Sequence, residues 1–144
     1  MRNRILKLKF RELREFCYVR NCVAEYIHDA LGDLSEHHSV LMEVAVNEAV
    51  NNALKHGNCG RTAKLITLKL FVLNNTQLIV SVNDGGAGFP GNQRLAELPL
   101  KQCFINKDAP KDSGRGLMIM ESATDGLSYN PQGNEVTLIK NLRH

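Results

Sequence analysis

The sequence of 144 residues contains no tryptophan, and only 6% of its residues are aromatic. Proteins that bind single-stranded nucleic acids stack the bases on aromatic side chains, so this scarcity argues against direct nucleic-acid binding. No apolar run reaches the roughly 18 residues that a membrane-spanning helix requires, which argues against a membrane partner. The amino terminus is basic but lacks the apolar segment and the small-residue cleavage site of a signal peptide. A cytoplasmic protein is therefore expected.

Zinc-binding and P-loop motifs are also absent. The four cysteines form no CxxC pair and have no histidine at zinc-ligand spacing; they are Cys17, Cys22, Cys59 and Cys103. They are expected to be reduced, as in a cytosolic chain. No GxxxxGKS or GxxxxGKT sequence is present, which excludes a P-loop nucleotide site.

The positive charge is concentrated at the amino terminus. The formal net charge is +3, yet residues 1–20 contain seven Arg or Lys and two Glu, so the other residues are slightly acidic in sum. This distribution fits a local acidic surface on a partner protein better than a long nucleic-acid groove.

Hydrophobic periodicity predicts one domain that covers residues 1–144. Apolar residues that alternate predict strands, and apolar residues three and four positions apart predict helices. The predicted elements are a strand at 6–10, a helix at 13–31, a helix that starts near Asp33 or Ser35 and ends at Gly57, a hairpin at 65–82 that turns at Asn74-Asn75, a helix at about 117–124, and strands at 127–129 and 136–142. The order β-α-α-β-β-α-β-β predicts an α+β two-layer sandwich, with the helices on one face of a mixed, mostly antiparallel sheet.

The second predicted helix has a polar line beside its apolar stripe. Glu48, Asn52 and His56 are spaced by four and are expected to lie one above another. A solvated polar face is the ordinary explanation, but Asn47, Asn51 and Asn52 are poor residues for a helix interior. An Asn carbonyl oxygen suits a hard cation, and a carboxylate one turn away can orient a water or a hydroxyl group near it.

Two glycine-rich segments each allow two explanations. Asp84-Gly-Gly-Ala-Gly88 follows a strand, where it forms either a tight turn or a segment whose backbone approaches a ligand closely. In the second case the Asp84 carboxylate can accept a hydrogen bond from an amine of the ligand. Ser113-Gly-Arg-Gly-Leu117 precedes a helix, where it forms either an ordinary helix boundary or a phosphate-binding helix start.

The three segments in this order resemble the nucleotide-binding motifs of one superfamily. Residues 48–57 resemble the N box, residues 84–88 the first glycine box and residues 114–117 the second glycine box of the Bergerat-fold ATPases, which include gyrase, histidine kinases and MutL-type proteins. Within this superfamily the chain is most similar to the anti-sigma factor serine/threonine protein kinases, because it is short, contains Glu-Ala-x-x-Asn and Ser-Gly-x-Gly, and continues with Met118-Ile-Met-Glu121. The resemblance covers nearly the whole chain.

The resemblance implies ATP and Mg²⁺ as cofactors, bound between the sheet and the helices under a lid at residues 89–113. It implies that Glu48 is the general base for a hydroxyl group, Asn52 the Mg²⁺ ligand and Asp84 the adenine anchor. The other expected ATP-binding residues are Gly86, Gly88, Lys107, Gly114, Arg115, Gly116 and Leu117. Asn134 stands where the family often has a threonine near the adenine.

Arg20 lies in the middle of the apolar stripe predicted for the first helix. The stripe consists of Leu13, Phe16, Cys17, Ala24, Ile27 and Leu31. Either the Arg20 stem packs while its guanidinium reaches solvent, or this helix face is an interface at which Arg20 meets an acidic partner residue or the terminal phosphate of ATP. An arginine near the phosphate resembles the family's arrangement, so Arg20 joins Glu48 among the expected catalytic residues.

The function implied by the resemblance is that of a regulatory serine kinase and anti-sigma factor. Such a protein phosphorylates a small anti-anti-sigma protein of the STAS type and sequesters a sigma factor, and a homodimer is expected. One alternative is an ATP-binding partner-switch module without efficient phosphoryl transfer, although Glu48 in line with Asn52 favours chemistry. Another is a detached ATPase domain of a sensor histidine kinase, which is less favoured because His28, His37 and His38 lack the context of a phospho-acceptor helix.

Overall fold

A computed structural model of the chain describes residues 4–32, 36–57, 65–85 and 115–142. The elements are β1 (Leu6–Phe10), α1 (Leu13–Leu31), α2 (Glu36–Asn52), a π-helical turn (Ala53–Gly57), β2 (Ile66–Leu73), β3 (Gln77–Asn83), α3 (Arg115–Ala123), β4 (Gly126–Tyr129) and β5 (Glu135–Asn141). This order confirms the predicted α+β architecture. The predicted cap at Asp33 or Ser35 and the predicted lid at residues 89–113 lie outside the described residues.

The described strands form one five-stranded sheet with the order β1-β2-β3-β5-β4. Every pairing between them is antiparallel, so the parallel part of the expected mixed sheet does not occur among these strands. The reason is that β2–β3 and β4–β5 are hairpins, and β5 joins β3 in the same antiparallel sense. The helices cover one face, where the fully buried strand residues are Ile66, Leu68, Leu70, Leu78, Val80 and Leu138.

The turn between β2 and β3 forms at the predicted asparagine pair. Asn74 and Asn75 have φ angles of 51° and 60°, in the left-handed region that asparagine tolerates better than most residues. The Thr76 N–H donates a hydrogen bond to the Leu73 carbonyl oxygen at 3.0 Å. The turn therefore sets the register between β2 and β3. This register places Asn83, the last residue of β3, opposite Thr67 near the start of β2.

The first helix, α1, has the predicted bounds but a different buried face. Its buried side chains are Phe16, Val23, Ile27 and Leu31. Leu13 is 46% exposed and Cys17 is also exposed, so the predicted stripe is wrong at these two positions and omits Val23. The reason is that α1 contacts α2 and the sheet along one side only, so only one face of the helix is covered.

The second helix, α2, packs at the centre of the core and ends in a π-helical turn. Its buried residues are Ser39, Met42, Ala45, Val46, Ala49 and Val50. After Asn52 the backbone changes to the π-helical turn, whose hydrogen bonds join residues five positions apart. The regular α-helical spacing on which the predicted alignment of Glu48, Asn52 and His56 depends ends at Asn52, and the His56 side chain lies outside the described residues.

The thiols of Cys17 and Cys22 are free and exposed on α1, as expected for a reduced chain. Cys59 and Cys103 lie outside the described residues. Within the described ranges, no helix combines the length and the apolar character needed to cross a membrane.

Candidate functional site

The α2 helix places Glu48 and Asn52 at the border of the core. Both residues are partly exposed, whereas Ala49 and Val50 between them are buried at 1% and 0% exposure. One α-helical turn separates the two polar residues, so they share a face of the helix. Asn51, which the sequence analysis grouped with Asn52, is exposed to solvent.

Gly116, the second residue of α3, lies directly against both polar side chains. A Cβ atom at this position would be 2.8 Å from Glu48 Oε1, 3.5 Å from Asn52 Nδ2 and 3.7 Å from Asn52 Oδ1. The glycine therefore permits an approach between α3 and α2 that an alanine would obstruct. The first turn of α3 also has backbone N–H groups without partners inside the helix and carries the positive end of the helix dipole, which suits an anionic group.

A small open cleft lies between α2 and the ends of β3, β4 and β5. It is lined by Ala49, Asn52, Ala53, Val82, Asp84, Tyr129, Asn134 and Val136. Apolar side chains surround a few polar ones in this lining, which is the composition typical of a small-ligand site.

Asp84 is held at the end of β3 by its own backbone and that of the next residue. It is 6% exposed, and its N–H donates to the Asn134 carbonyl oxygen at 2.9 Å. Gly85 then turns the chain with a φ of 68°, and its N–H donates to Asn83 Oδ1 at 2.9 Å. The Asp84 carboxylate is thus a buried acceptor on a rigid strand end, which suits recognition of an amine.

Asn134 lines the cleft from the turn between β4 and β5, at the position where the family often has threonine. Asn130 fixes this turn, because its Oδ1 accepts from the N–H groups of Asn134 at 3.0 Å and of Glu135 at 3.2 Å. The Asn130 Nδ2 also donates to Asn134 Oδ1 at 2.7 Å. Since the Asn134 carbonyl holds Asp84, Asn130 indirectly supports the Asp84 backbone as well.

Tyr129 is a cleft residue that the sequence analysis did not select. It is 8% exposed. Burial raises the pKa of its hydroxyl above the ordinary value, and the charge of Asp84 adds to this rise. The residue lines the cleft together with Asn52 and Asp84. The available sequence signal was strand alternation, which places Tyr129 on the same face of β4 as Leu127, a residue packed against the core.

The structure describes only some of the other residues that were predicted to bind the nucleotide. Four of them lie outside the described residues: Gly86, Gly88, Lys107 and Gly114. Arg115 is the first residue of α3. Leu117 is 5% exposed and packs in the core, so a contact with a nucleotide would have to come from its backbone.

Arg20 lies on the exposed surface of α1 and is not part of the cleft lining. Its guanidinium carbon is 5.8 Å from the centroid of the Phe16 ring, and its Nη2 donates to Cys17 Sγ at 3.5 Å. These contacts favour the first of the two sequence explanations, in which the stem packs and the charged head reaches solvent.

The donors near Asn52 fit a Mg²⁺ ion that arrives with a phosphate ligand. Among the described residues, no three His, Cys, Asp or Glu side chains converge to form a metal site. Mg²⁺ often uses only one or two protein oxygens, with water and phosphate oxygens completing its coordination. Asn52 offers one amide oxygen beside the open cleft, which meets this requirement.

Comparisons with known proteins place these features in a family context. A family model described as histidine kinase-like ATPase domain matches residues 14–140. The chain is 26% identical to serine-protein kinase RsbW of Listeria monocytogenes serotype 4a over 118 residues, which is 81% of this chain and 69% of that protein. It is 29% identical to anti-sigma F factor of Clostridium perfringens over 98 residues, which is 68% of this chain and 66% of that protein.

Proposed function

The chain belongs to the histidine kinase-like ATPase domain family, which implies the use of ATP, and on this premise we propose that it is a regulatory serine protein kinase. It transfers the terminal phosphoryl group of ATP to a serine of a small anti-anti-sigma protein and also sequesters a sigma factor. The similarity to a serine-protein kinase and to an anti-sigma factor supports both parts of the proposal.

The observation that carries the proposal is the arrangement of two polar side chains in the lining of one cleft and of a third one helical turn away. Asn52 and Asp84 both line the cleft. Glu48 lies one helical turn from Asn52, and Gly116 contacts both residues from the start of α3. In this arrangement Asp84 can bind the base of a nucleotide, Asn52 can bind a cation and Glu48 can accept a proton.

In the proposed reaction each residue has one task. Asp84 accepts a hydrogen bond from the exocyclic amine of adenine. Glu48 accepts the proton of the serine hydroxyl while the serine oxygen bonds to the γ-phosphorus, the bond from that phosphorus to the bridging oxygen breaks, and ADP leaves. Asn52 would hold Mg²⁺, which, when bound, reduces the negative charge on the phosphate oxygens.

Incubation of the protein with labelled ATP and a candidate anti-anti-sigma protein tests this function. We expect label on one serine of the candidate, and none on its Ser→Ala variant. Tight ATP binding without any transfer to a partner that the protein captures would instead support the switch-module alternative.

Gly116→Ala should slow phosphoryl transfer by about 10- to 100-fold, because the new Cβ displaces the Glu48 carboxylate. Small errors in the position of a reacting group change reaction rates by about this factor. Thermal stability should be unchanged or slightly raised, since alanine favours a helix more than glycine does. Transfer rate and melting temperature are the two measurements.

Gly126→Ala on β4 is the matched control, because its Cβ would approach Ile139 at 3.3 Å and no site residue. An unchanged transfer rate in Gly116→Ala would show that the position of Glu48 does not matter.

The proposed surface for partner proteins consists of β1 and α1. β1 is an edge strand whose Lys7 and Lys9 are exposed. On α1, Tyr18 is 81% exposed and Arg20 is exposed nearby in sequence. Positive charge beside an exposed aromatic residue suits an acidic protein surface. The homodimer expected from the sequence would use the same surface, and a measurement of molecular mass in solution tests it.

Arg20→Ala should leave the protein folded and able to bind ATP, but should weaken phosphorylation or capture of the antagonist by about tenfold or more, the usual effect of losing a charged hydrogen bond. Arg14→Ala is the charge-matched comparison on the same helix, because the Arg14 side chain is 79% exposed and its ion pair is with Glu12. A smaller loss than in Arg20→Ala would distinguish a specific contact of Arg20 from the general positive charge of this surface. A sharp fall in melting temperature with unchanged partner affinity would assign Arg20 a purely structural role.

A further inference from the structure

The turn between β4 and β5 holds two asparagine side chains as a fixed pair. Asn130 Oδ1 accepts hydrogen bonds from the backbone N–H groups of Asn134 at 3.0 Å and of Glu135 at 3.2 Å. Two backbone hydrogen bonds close the same turn: the Asn130 N–H donates to the Glu135 carbonyl oxygen, and the Gly133 N–H donates to the Asn130 carbonyl oxygen, both at 2.9 Å. The position of the Asn130 side chain is therefore set by the backbone around it.

This network also determines which end of each amide faces the other. A backbone N–H can only donate, so the Asn130 atom that accepts from two of them is the amide oxygen, and the NH₂ group is at the other end. That nitrogen, Nδ2, donates to Asn134 Oδ1 at 2.7 Å. The reverse orientation of Asn134 would set two NH₂ groups against each other. The Asn134 amide therefore has its oxygen towards Asn130 and its NH₂ group on the opposite side.

Asn134 and Asp84 lie together in the cleft. Both residues line it, and the Asp84 N–H donates to the Asn134 backbone carbonyl oxygen at 2.9 Å, so their positions are coupled. The Asp84 carboxylate accepts hydrogen bonds, whereas an NH₂ group donates them. An acceptor and a donor side by side match a ring edge that has an amine next to an acceptor nitrogen. Adenine has such an edge on each side of its amine, with N1 or N7 as the acceptor.

We propose that Asn130 is a positioning residue that presents the NH₂ group of Asn134 to the cleft, where this group donates to the adenine ring nitrogen next to the amine bound by Asp84. The inference rests on the proposed function, which places adenine at Asp84. It adds a second determinant of base selection, which acts through the turn between β4 and β5.

Asn130→Asp separates the orientation of Asn134 from the integrity of the turn. The new side chain keeps one oxygen for the two backbone N–H groups, so the turn and the melting temperature should be retained. Its second oxygen replaces the NH₂ group that Asn134 Oδ1 accepts from. The Asn134 amide must then turn over, which directs its NH₂ group towards the new carboxylate and its oxygen towards the ring nitrogen, where two acceptors meet.

The test measures by calorimetry the affinities for ATP, 1-deaza-ATP and 7-deaza-ATP, in which carbon replaces N1 or N7. The wild type should bind one of the two analogues about three- to tenfold more weakly than ATP, which corresponds to the loss of one hydrogen bond. Asn130→Asp should bind that analogue within about twofold of ATP, or more tightly. The charge of the new carboxylate affects all three nucleotides equally and cancels from this ratio. Asn51→Asp, at an exposed position of α2, is the matched control and should keep the wild-type ratio.

Asn134→Ala and Asp84→Asn separate this inference from the proposed function. Asn134→Ala should also lose the preference for ATP over the analogue, and adding Asn130→Asp should not change the ratio further, because both changes remove the same contact. If the wild type binds ATP and both analogues equally, or if Asn130→Asp keeps the wild-type ratio, the positioning role is wrong and the function stands. If the wild type does not bind ATP, or if Asp84→Asn binds it normally, the adenine assignment and the positioning role both fall.

Discussion

Glu48→Gln should lower the rate of phosphoryl transfer by roughly 10²–10⁴-fold while ATP still binds with nearly unchanged affinity. Glutamine keeps the size of the side chain but cannot take a proton, and a general base acts mainly in the transition state. The contact with Gly116 is also retained, because it depends on shape. Single-turnover transfer of label from ATP to the partner gives the rate, and calorimetry gives the affinity.

Glu43→Gln provides the control for this experiment. Glu43 is on the same helix and is partly exposed, but it lies on a different face from Glu48 and Asn52. The control should transfer phosphate at the wild-type rate. Full activity in Glu48→Gln would mean that the proton goes to another group or that phosphoryl transfer is not the task of this protein.

Asp84→Asn should abolish ATP binding. The wild type should prefer ATP to GTP by roughly 10⁴-fold, as in sites built around one buried hydrogen bond. A carboxylate accepts from the amine of adenine but faces the carbonyl oxygen of guanine, so two acceptors would meet in a desolvated cleft. The 6% exposure of Asp84 makes this mismatch costly, because little water is available to relieve it. Calorimetric titration with both nucleotides measures the ratio.

Asp29→Asn is a suitable control for the Asp84 variant. Asp29 is an exposed residue of α1, so the same change in charge should leave both affinities unaltered. Equal affinities of the wild type for ATP and GTP would refute the assignment of Asp84 as the adenine anchor.

The polar site was predictable from the sequence to the extent that local spacing controls it. Glu48 and Asn52 are one turn apart on an uninterrupted α-helix, so their shared face follows from helical geometry alone. The π-helical turn after Asn52 could not be predicted, because residue preferences do not signal such a turn. Tyr129 was missed because its place in the cleft lining depends on the packing of the β4–β5 hairpin near α2, which brings distant parts of the chain together.

The same distinction applies to the fold. The bounds of α1 were predicted correctly because its apolar periodicity and Gly32 are local signals. Which of its apolar residues are buried depends on the neighbouring layer, and for this reason Leu13 was placed inside and Val23 was not recognised. The antiparallel sense of the β3–β5 pairing was likewise settled by tertiary structure.

The place of Tyr129 in the cleft makes the protein's own fluorescence informative. The chain has no tryptophan and three tyrosines, so tyrosine alone emits when the protein is excited in the near ultraviolet. Tyr18 is on the surface of α1, and the hydroxyl of Tyr26 donates to the Arg4 carbonyl oxygen at 2.6 Å, away from the cleft. A nucleobase bound in the cleft as proposed would lie near Tyr129 and should change the emission of this one ring, so the unlabelled wild-type protein would report its own occupancy.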